Sequence, residues 1–229
     1  AFALKNVKAA RKIIWIHIDY RNAQYIADID RKEFSKADRI VCVSKECLNH
    51  FKEDFPALAD KAVFFDNILS AAYIKEKSSE TIMDFTDHFE GLKLLTVCRL
   101  EIFTKGLDRA VSAMKKLCDE GYDLRWYLVG NGEDKRLEEM IGAAGLSEKM
   151  ILLGRKANPY PYYKQCDVYV MASRTEGKPV SVTEAQILGL PVIVTRYSSA
   201  HEQVVDHVDG IIVSNDDDSI YSGIKEVLN

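Results

Sequence analysis

Between residues 92 and 213, short, mainly apolar runs alternate with segments whose apolar residues recur every three or four positions. The runs 92–98, 124–129, 150–153, 168–171, 192–195 and 211–213 have the length of strands. Near-continuous apolarity marks strands covered on both faces, as in parallel sheets. Leu107, Ala110, Val111, Met114, Leu117 and Cys118 recur at helical spacing, and the pattern stops at Gly121. A second helix is predicted over 133–144 with Gly145 as its stop, and a last one after the acidic run 215–218, which suits the positive end of a helix dipole. Strand and helix in alternation predict an α/β fold with a doubly wound parallel sheet of Rossmann type.

The first third of the chain carries weaker signals of the same kind. The run 12–19 reads as a strand, and 38–44 as another. Ser44 caps a helix from Lys45 to about Phe55, which ends before Pro56. A short strand follows at 62–65, and 78–90 is a polar stretch expected to be mobile.

Within this frame, residues 173–192 carry the chemistry. Gly177 is expected to break the strand at 168–171, and Pro179 to be the first helical residue, where its missing N–H costs nothing. Val182, Ala185 and Leu188 share one face of that helix, which stops at Gly189 before Pro191. Glu176 then lies in a loop at the carboxyl end of a strand, and Glu184 one to two turns into the helix. Between them are the open N–H groups of a helix start, which attract anions. Two acids flanking an anion site suit a diphosphate ligand with hydroxyls at both ends, as in a nucleotide-sugar. The plainer reading of the spacing alone is two solvated glutamates on a strand–loop–helix turn.

Composition narrows the classes. The chain has 229 residues, 47% hydrophobic and 29% charged, values ordinary for a globular protein. A net charge of -4 leaves no electrostatic footprint for nucleic acid. No run reaches the length of a membrane span. Five cysteines without a C-x-x-C pair read as reduced buried thiols of a cytoplasmic protein, not as a disulfide framework or zinc site. Starting at Ala1, the chain reads as a piece of a longer protein. Gly130 and Gly132 lack a third glycine at the dinucleotide spacing, so a nicotinamide site is not indicated.

The stretch containing Ser173, Glu176, Gly177, Pro179, Glu184, Ala185, Gly189, Pro191, Val192 and Thr195 resembles the paired-glutamate motif of family 4 retaining glycosyltransferases. These enzymes have the GT-B fold of two Rossmann-like domains, and the resemblance runs over nearly the whole chain. It implies that 1–68 is a remnant of the N-terminal, acceptor-side domain. Residues 69–90 would be a linker with the start of the second domain, and 91–229 the nucleotide-sugar domain. The family's return helices would lie beyond Asn229.

The resemblance also implies roles. Glu184 would bind ribose, and Glu176 the donor sugar close to its anomeric carbon, with His17 reaching the same region. Without the resemblance, a lone histidine after an apolar run reads equally as structural. Arg99, Lys105, Gly106 and the helix start at Val180 and Ser181 would bind the donor diphosphate. The base would meet the chain near Arg155 and Lys156. The aromatic-rich 158–163 stretch resembles family members that build surface polysaccharides and points towards UDP; its tyrosines read as packing material. Lys178 reads as solvated. Glu202 stays in place, but Tyr197, Ser198 and Ser199 stand where the family has glycines, leaving any backbone contact with ligand there in doubt.

The expected function is therefore transfer of a sugar from a nucleotide-sugar to a glycan or lipid-linked acceptor with retention of configuration. No metal or other cofactor is expected, since fixed cations and backbone amides at the diphosphate would do that work. The expected setting is cytoplasmic, with membrane association through the rest of the N-terminal domain. These residues alone would lack most of the acceptor surface and would be inactive. Two rivals stay open: a sugar-nucleotide epimerase or phosphorylase of the same fold, and a nucleotide-binding module without activity. No lysine motif for pyridoxal phosphate supports the phosphorylase.

Overall fold

The structure, a computed structural model, describes residues 4, 6–22, 27–82 and 88–228. The chain forms two compact units. The first comprises 1–68 together with 175–178 and 197–202, two loops supplied from much later in the sequence. The second comprises 69–174, 179–196 and 203–229.

The first unit holds a parallel sheet in the order β1 (Ile13–Ile16), β2 (Arg39–Cys42), β3 (Ala62–Phe64). Side chains alternate across β1, so Ile13 and Trp15 are exposed while Ile16 is buried. The buried face packs against α1 (Ala27–Phe34) and α2 (Lys45–Asp54) through Ile40, Cys42, Phe51 and Phe55. Its centre is aromatic: Phe51 stacks on Phe55 at 4.7 Å, and Tyr20 meets Phe55 edge-on at 4.8 Å. Helix α2 begins as the sequence predicts, with the Ser44 hydroxyl accepting from the Cys47 N–H at 3.1 Å. The Glu202 carboxylate adds a second cap, accepting from the N–H groups of Lys45 and Glu46 at 2.9 and 2.8 Å.

The second unit holds six parallel strands: β4 (Leu92–Val97), β5 (Leu124–Val129), β6 (Met150–Gly154), β7 (Val168–Met171), β8 (Val192–Thr195) and β9 (Gly210–Val213). Their spatial order is β6-β5-β4-β7-β8-β9, so the winding reverses between β4 and β7. The helices are α3 (Ala71–Lys77), α4 (Leu107–Asp119), α5 (Asp134–Ala143), α6 (Tyr160–Tyr163), α7 (Val180–Ile187) and α8 (Ser219–Leu228). Helix α4 buries Leu107, Ala110, Val111, Met114 and Leu117, the stripe its spacing predicts. At the sheet centre the Thr96 hydroxyl donates to the Val170 carbonyl at 2.6 Å and accepts from Trp126 Nε1 at 3.0 Å. The one hydroxyl thus satisfies polar atoms on three strands that would otherwise be costly to bury.

Several local expectations change. Helix α3 occupies part of the expected linker, capped by Ser70. It is followed by a turn in which Lys77 pairs with Glu80 at 2.6 Å, instead of a mobile stretch. Residues 83–87 of that stretch lie outside the described residues. Strand β7 ends at Met171, well before Gly177. Pro179 is extended, with ψ 121°, and precedes α7 instead of opening it. All five cysteines are thiols, with Cys42, Cys47 and Cys166 buried and Cys98 and Cys118 half-buried.

Phe51 carries much of the first unit's core. Phe51→Ala is expected to destabilise that unit by about 3–5 kcal/mol through lost contacts and a residual cavity. Loss of the Trp15 indole N–H resonance at lower denaturant concentration would register it.

Candidate functional site

Ligands of doubly wound sheets bind beyond the carboxyl ends of the strands, where the strand order reverses. Here that point lies between β4 and β7. The loop after β4 carries Arg99, Lys105 and Gly106. Gly106 has φ 63°, and a Cβ on it would lie 2.0 Å from the Ala172 carbonyl oxygen. Only glycine lets the loop pass so close to the end of β7. The Lys105 N–H bonds to the Glu101 carbonyl at 2.9 Å, and the Ile102 N–H to the Glu133 carboxylate at 2.7 Å. Arg99 projects into solvent, 76% exposed, and pairs with Glu101 at 2.9 Å. An exposed pair of this kind is weak and holds the Arg99 guanidinium only loosely.

Helix α7 supplies the opposing wall of this unit's site. Its first N–H groups, from Val180 onward, are the open donors of a helix start. The Ser181 hydroxyl is buried and accepts from the Tyr169 hydroxyl at 2.8 Å. One turn on, Glu184 is 9% exposed, and each of its oxygens takes a tyrosine hydroxyl. Tyr160 donates to one at 3.2 Å and Tyr163 to the other at 3.2 Å. Tyr163 also reaches the Ser181 carbonyl at 3.3 Å and stacks on Tyr169. Burial raises the Glu184 carboxyl above its usual range, and the two tyrosine bonds offset part of that. Burial, then the charge of Glu184, pushes the Tyr160 phenol up to about 12, so it remains a donor. Tyr162 and Tyr163 are packing residues as the sequence predicts, but Tyr163 also has this polar task, which its sequence context does not reveal.

Arg155 and Lys156 follow β6 at the sheet edge. Arg155 is exposed, and the Lys156 ammonium lies 5.5 Å above the Tyr162 ring.

The first unit gathers a different set. His17 follows β1, is exposed, and stacks on Trp15 at 5.8 Å. A Cβ on Gly177 would lie 2.1 Å from the His17 carbonyl oxygen, so the Glu176–Gly177 turn runs directly against the His17 backbone. Glu176 is 9% exposed, and its carbonyl accepts from the Ser198 hydroxyl at 3.5 Å. Burial, then the charge of Glu176, raises the Tyr197 phenol. Asn67 donates to the Lys178 carbonyl at 3.1 Å. Lys178 is not solvated: its ammonium pairs with Asp66, with only 12% of the side chain exposed. Glu202 turns inward to cap α2, a long-range role that no local signal could reveal. The structure thus brings His17 and Glu176 together in one unit. Arg99, Lys105, Gly106, Val180, Ser181 and Glu184 belong to the other.

Among the described residues no cluster of three or more His, Cys, Asp or Glu is arranged to hold a metal ion. No helix of the described residues is long and apolar enough to cross a membrane. A cleft of about 530 Å³ lies at the opposite ends of β8 and β9, lined by Gln186, Pro191, His207, Gly210 and Glu226 among others.

Residues 79–229 match the family of glycosyl transferases group 1. The chain belongs to this family. It is 30% identical over 198 residues to the Campylobacter jejuni N-acetylgalactosamine-N,N'-diacetylbacillosaminyl-diphospho-undecaprenol 4-alpha-N-acetylgalactosaminyltransferase, covering 85% of this chain and 52% of that enzyme. An uncharacterised glycosyltransferase of Methanocaldococcus jannaschii is 26% identical over 203 residues, 84% of this chain and 50% of its own length. The chain spans about half the length of these relatives. Among solved structures, Anabaena HepE in complex with UDP-glucose superposes with TM-score 0.81 at 17% identity, over 96% of this chain and 63% of that one. Staphylococcus aureus TarM, solved with UDP, fondaparinux and a GlcNAc-glycerol, gives 0.75 at 16%, over 96% and 45%. The fold is the Rossmann-like α/β fold of GT-B glycosyltransferases.

The tyrosine pair makes a checkable claim about Glu184. Its carboxyl is expected to titrate above the range of a surface glutamate, about 4.3. Tyr163→Phe, which deletes a bond to the charged form, is expected to raise it further. Carboxyl carbon-13 NMR across a pH series reads both shifts.

Proposed function

We propose that this chain provides the donor side of a retaining glycosyltransferase using a nucleotide-sugar, in this reading a UDP-sugar, and acting on a glycan or lipid-linked acceptor. The observation that carries this reading is Glu184. It is a buried carboxylate, aimed by two tyrosine hydroxyls, one turn inside a helix whose N-terminus lies at the sheet's reversal point. A carboxylate so placed suits the ribose hydroxyls of a nucleotide whose phosphates lie at the helix start. Arg99, Lys105 and the N–H groups from Val180 and Ser181 would neutralise the charge growing on the departing diphosphate. Gly106 would let the backbone approach it, and the chain near Arg155 and Lys156 would meet the base. With fixed cations and amides in that role, the proposal assigns no step to a metal.

Glu176 would hold hydroxyls of the donor sugar and stabilise positive charge at its anomeric carbon, with His17 beside it. Their direct backbone contact supports placing both at the reacting end. Residues 91–229 would then be the donor domain and 1–68 part of the acceptor side. The undecaprenol-linked acceptor in the name of the Campylobacter relative supports a lipid-linked acceptor and surface polysaccharide synthesis. Work on such an acceptor would bring the protein to the inner face of a membrane. The five thiols suit a reducing, cytoplasmic setting.

Two variants test the division of roles. Glu184→Ala is expected to weaken UDP binding by about 1–3 kcal/mol, the scale of hydrogen bonds to a charged group. Glu176→Ala should leave UDP affinity unchanged and weaken only the sugar-bearing donor. NMR titration of both variants with UDP and UDP-sugars decides, and equal losses on free UDP would overturn the assignment.

A further inference from the structure

Arg174 lies three residues past the end of β7, and nothing above gives it a part in the reaction. Its contacts within the second unit single it out. Its backbone N–H donates to the Thr104 carbonyl at 2.9 Å, and Nη1 donates to the Phe103 carbonyl at 2.8 Å. The guanidinium forks onto Asp108 with two bonds of 2.7 Å and reaches Asp217 at 3.3 Å. Its plane lies over the Phe103 ring, 4.3 Å from the centroid. The Arg174 carbonyl accepts from the Asn215 side chain at 2.8 Å. Arg109, 7% exposed, holds the far side by bonding Asp217 at 2.8 Å and Asn215 at 2.6 Å. One residue therefore grips positions 103, 104 and 108, on both sides of Lys105 and Gly106.

This arrangement differs from a surface ion pair in three ways. The Arg174 side chain is 17% exposed and Asp108 33%, so solvent screens the pair less. The fork is bidentate, the geometry that fixes direction as well as distance. Burial works against the Asp108 carboxylate, yet the bonds and charge of Arg174 outweigh it and hold the group below its usual range. Four guanidinium N–H bonds already have protein partners, so Arg174 acts through the loop it holds.

We propose that Arg174 is the positioning residue of the diphosphate loop. It fixes residues 103–108 so that Lys105 and the Gly106 backbone stand ready before the nucleotide arrives. A loop ordered in advance does not lose that freedom on binding, and the affinity gains accordingly. Lysine cannot replace it, because one ammonium cannot make a planar fork, cover a ring and reach the Phe103 carbonyl together. The inference rests on the reading that Lys105 binds the diphosphate, and the test separates the two.

The test is an NMR titration of this chain with UDP and, separately, with uridine. It uses wild type, Arg174→Lys, Lys105→Ala and the double variant, with amide exchange of Lys105 and Gly106 followed without ligand. Arg174→Lys is expected to weaken UDP by about tenfold, equivalent to about 1.4 kcal/mol, with uridine affinity unchanged. It should also speed exchange at Gly106 and have little further effect on UDP once Lys105 is alanine. Asp108→Asn, which keeps shape and loses the charge, should reproduce a smaller loss if Arg174→Lys does not fold. Equal losses for UDP and uridine, or unchanged UDP affinity while Lys105→Ala weakens it, would overturn the positioning role. Unchanged UDP affinity in Lys105→Ala would instead overturn the diphosphate reading itself.

Discussion

The close approach of Gly106 to Ala172 is the constraint from which the rest of the second unit's loop geometry follows. At the reversal of strand order, the chain leaving β4 must cross within van der Waals reach of the chain leaving β7. A side chain at position 106 would collide with backbone, which cannot give way as a flexible side chain can. With the crossing fixed, Lys105, the start of α4 and the approach to α7 have defined places. Thr96 acts in the same region from inside the sheet, tying β4 to β5 and β7 through one hydroxyl.

Electrostatics at the site depends on how burial is compensated. Glu184 sits where a carboxylate is disfavoured, and two phenols that stay protonated make the charge tolerable while fixing its direction. Asp108 is compensated by a forked cation, and the balance falls the other way, towards a more acidic group. The two acids lie in one unit, but their acidities move in opposite directions because one has neutral donors and the other a full charge.

Much of this was legible in the sequence, for a physical reason. Strands of a parallel sheet are covered on both faces, so 92–97, 124–129, 168–171 and 192–195 stand out as mainly apolar runs despite Lys93, Thr96, Arg125 and Thr195. Glycine stops and the Ser44 cap mark helix ends because their backbone geometry is demanding. Helix α3 escaped because it is short and buries only Ile74, too little for an apolar stripe at helical spacing. The tyrosine bonds to Glu184 were hidden because a buried ring reads as packing whether or not its hydroxyl has a task. The Lys178–Asp66 pair and the Glu202 cap join residues more than a hundred positions apart, and local pattern carries no trace of such partners.

The discontinuity of the first unit has a consequence for how the protein is made. Synthesis proceeds from the N-terminus, and domains generally fold as units while the chain emerges. The strands β1 to β3 leave the ribosome before the second unit, but the turn around Gly177 emerges only after β7 and the carboxylate of Glu202 only after β8. Until then the start of α2 has only its serine, and the backbone beside His17 has no neighbour from the Gly177 turn. The strands of the first unit thus wait, half assembled, for residues encoded far downstream of them.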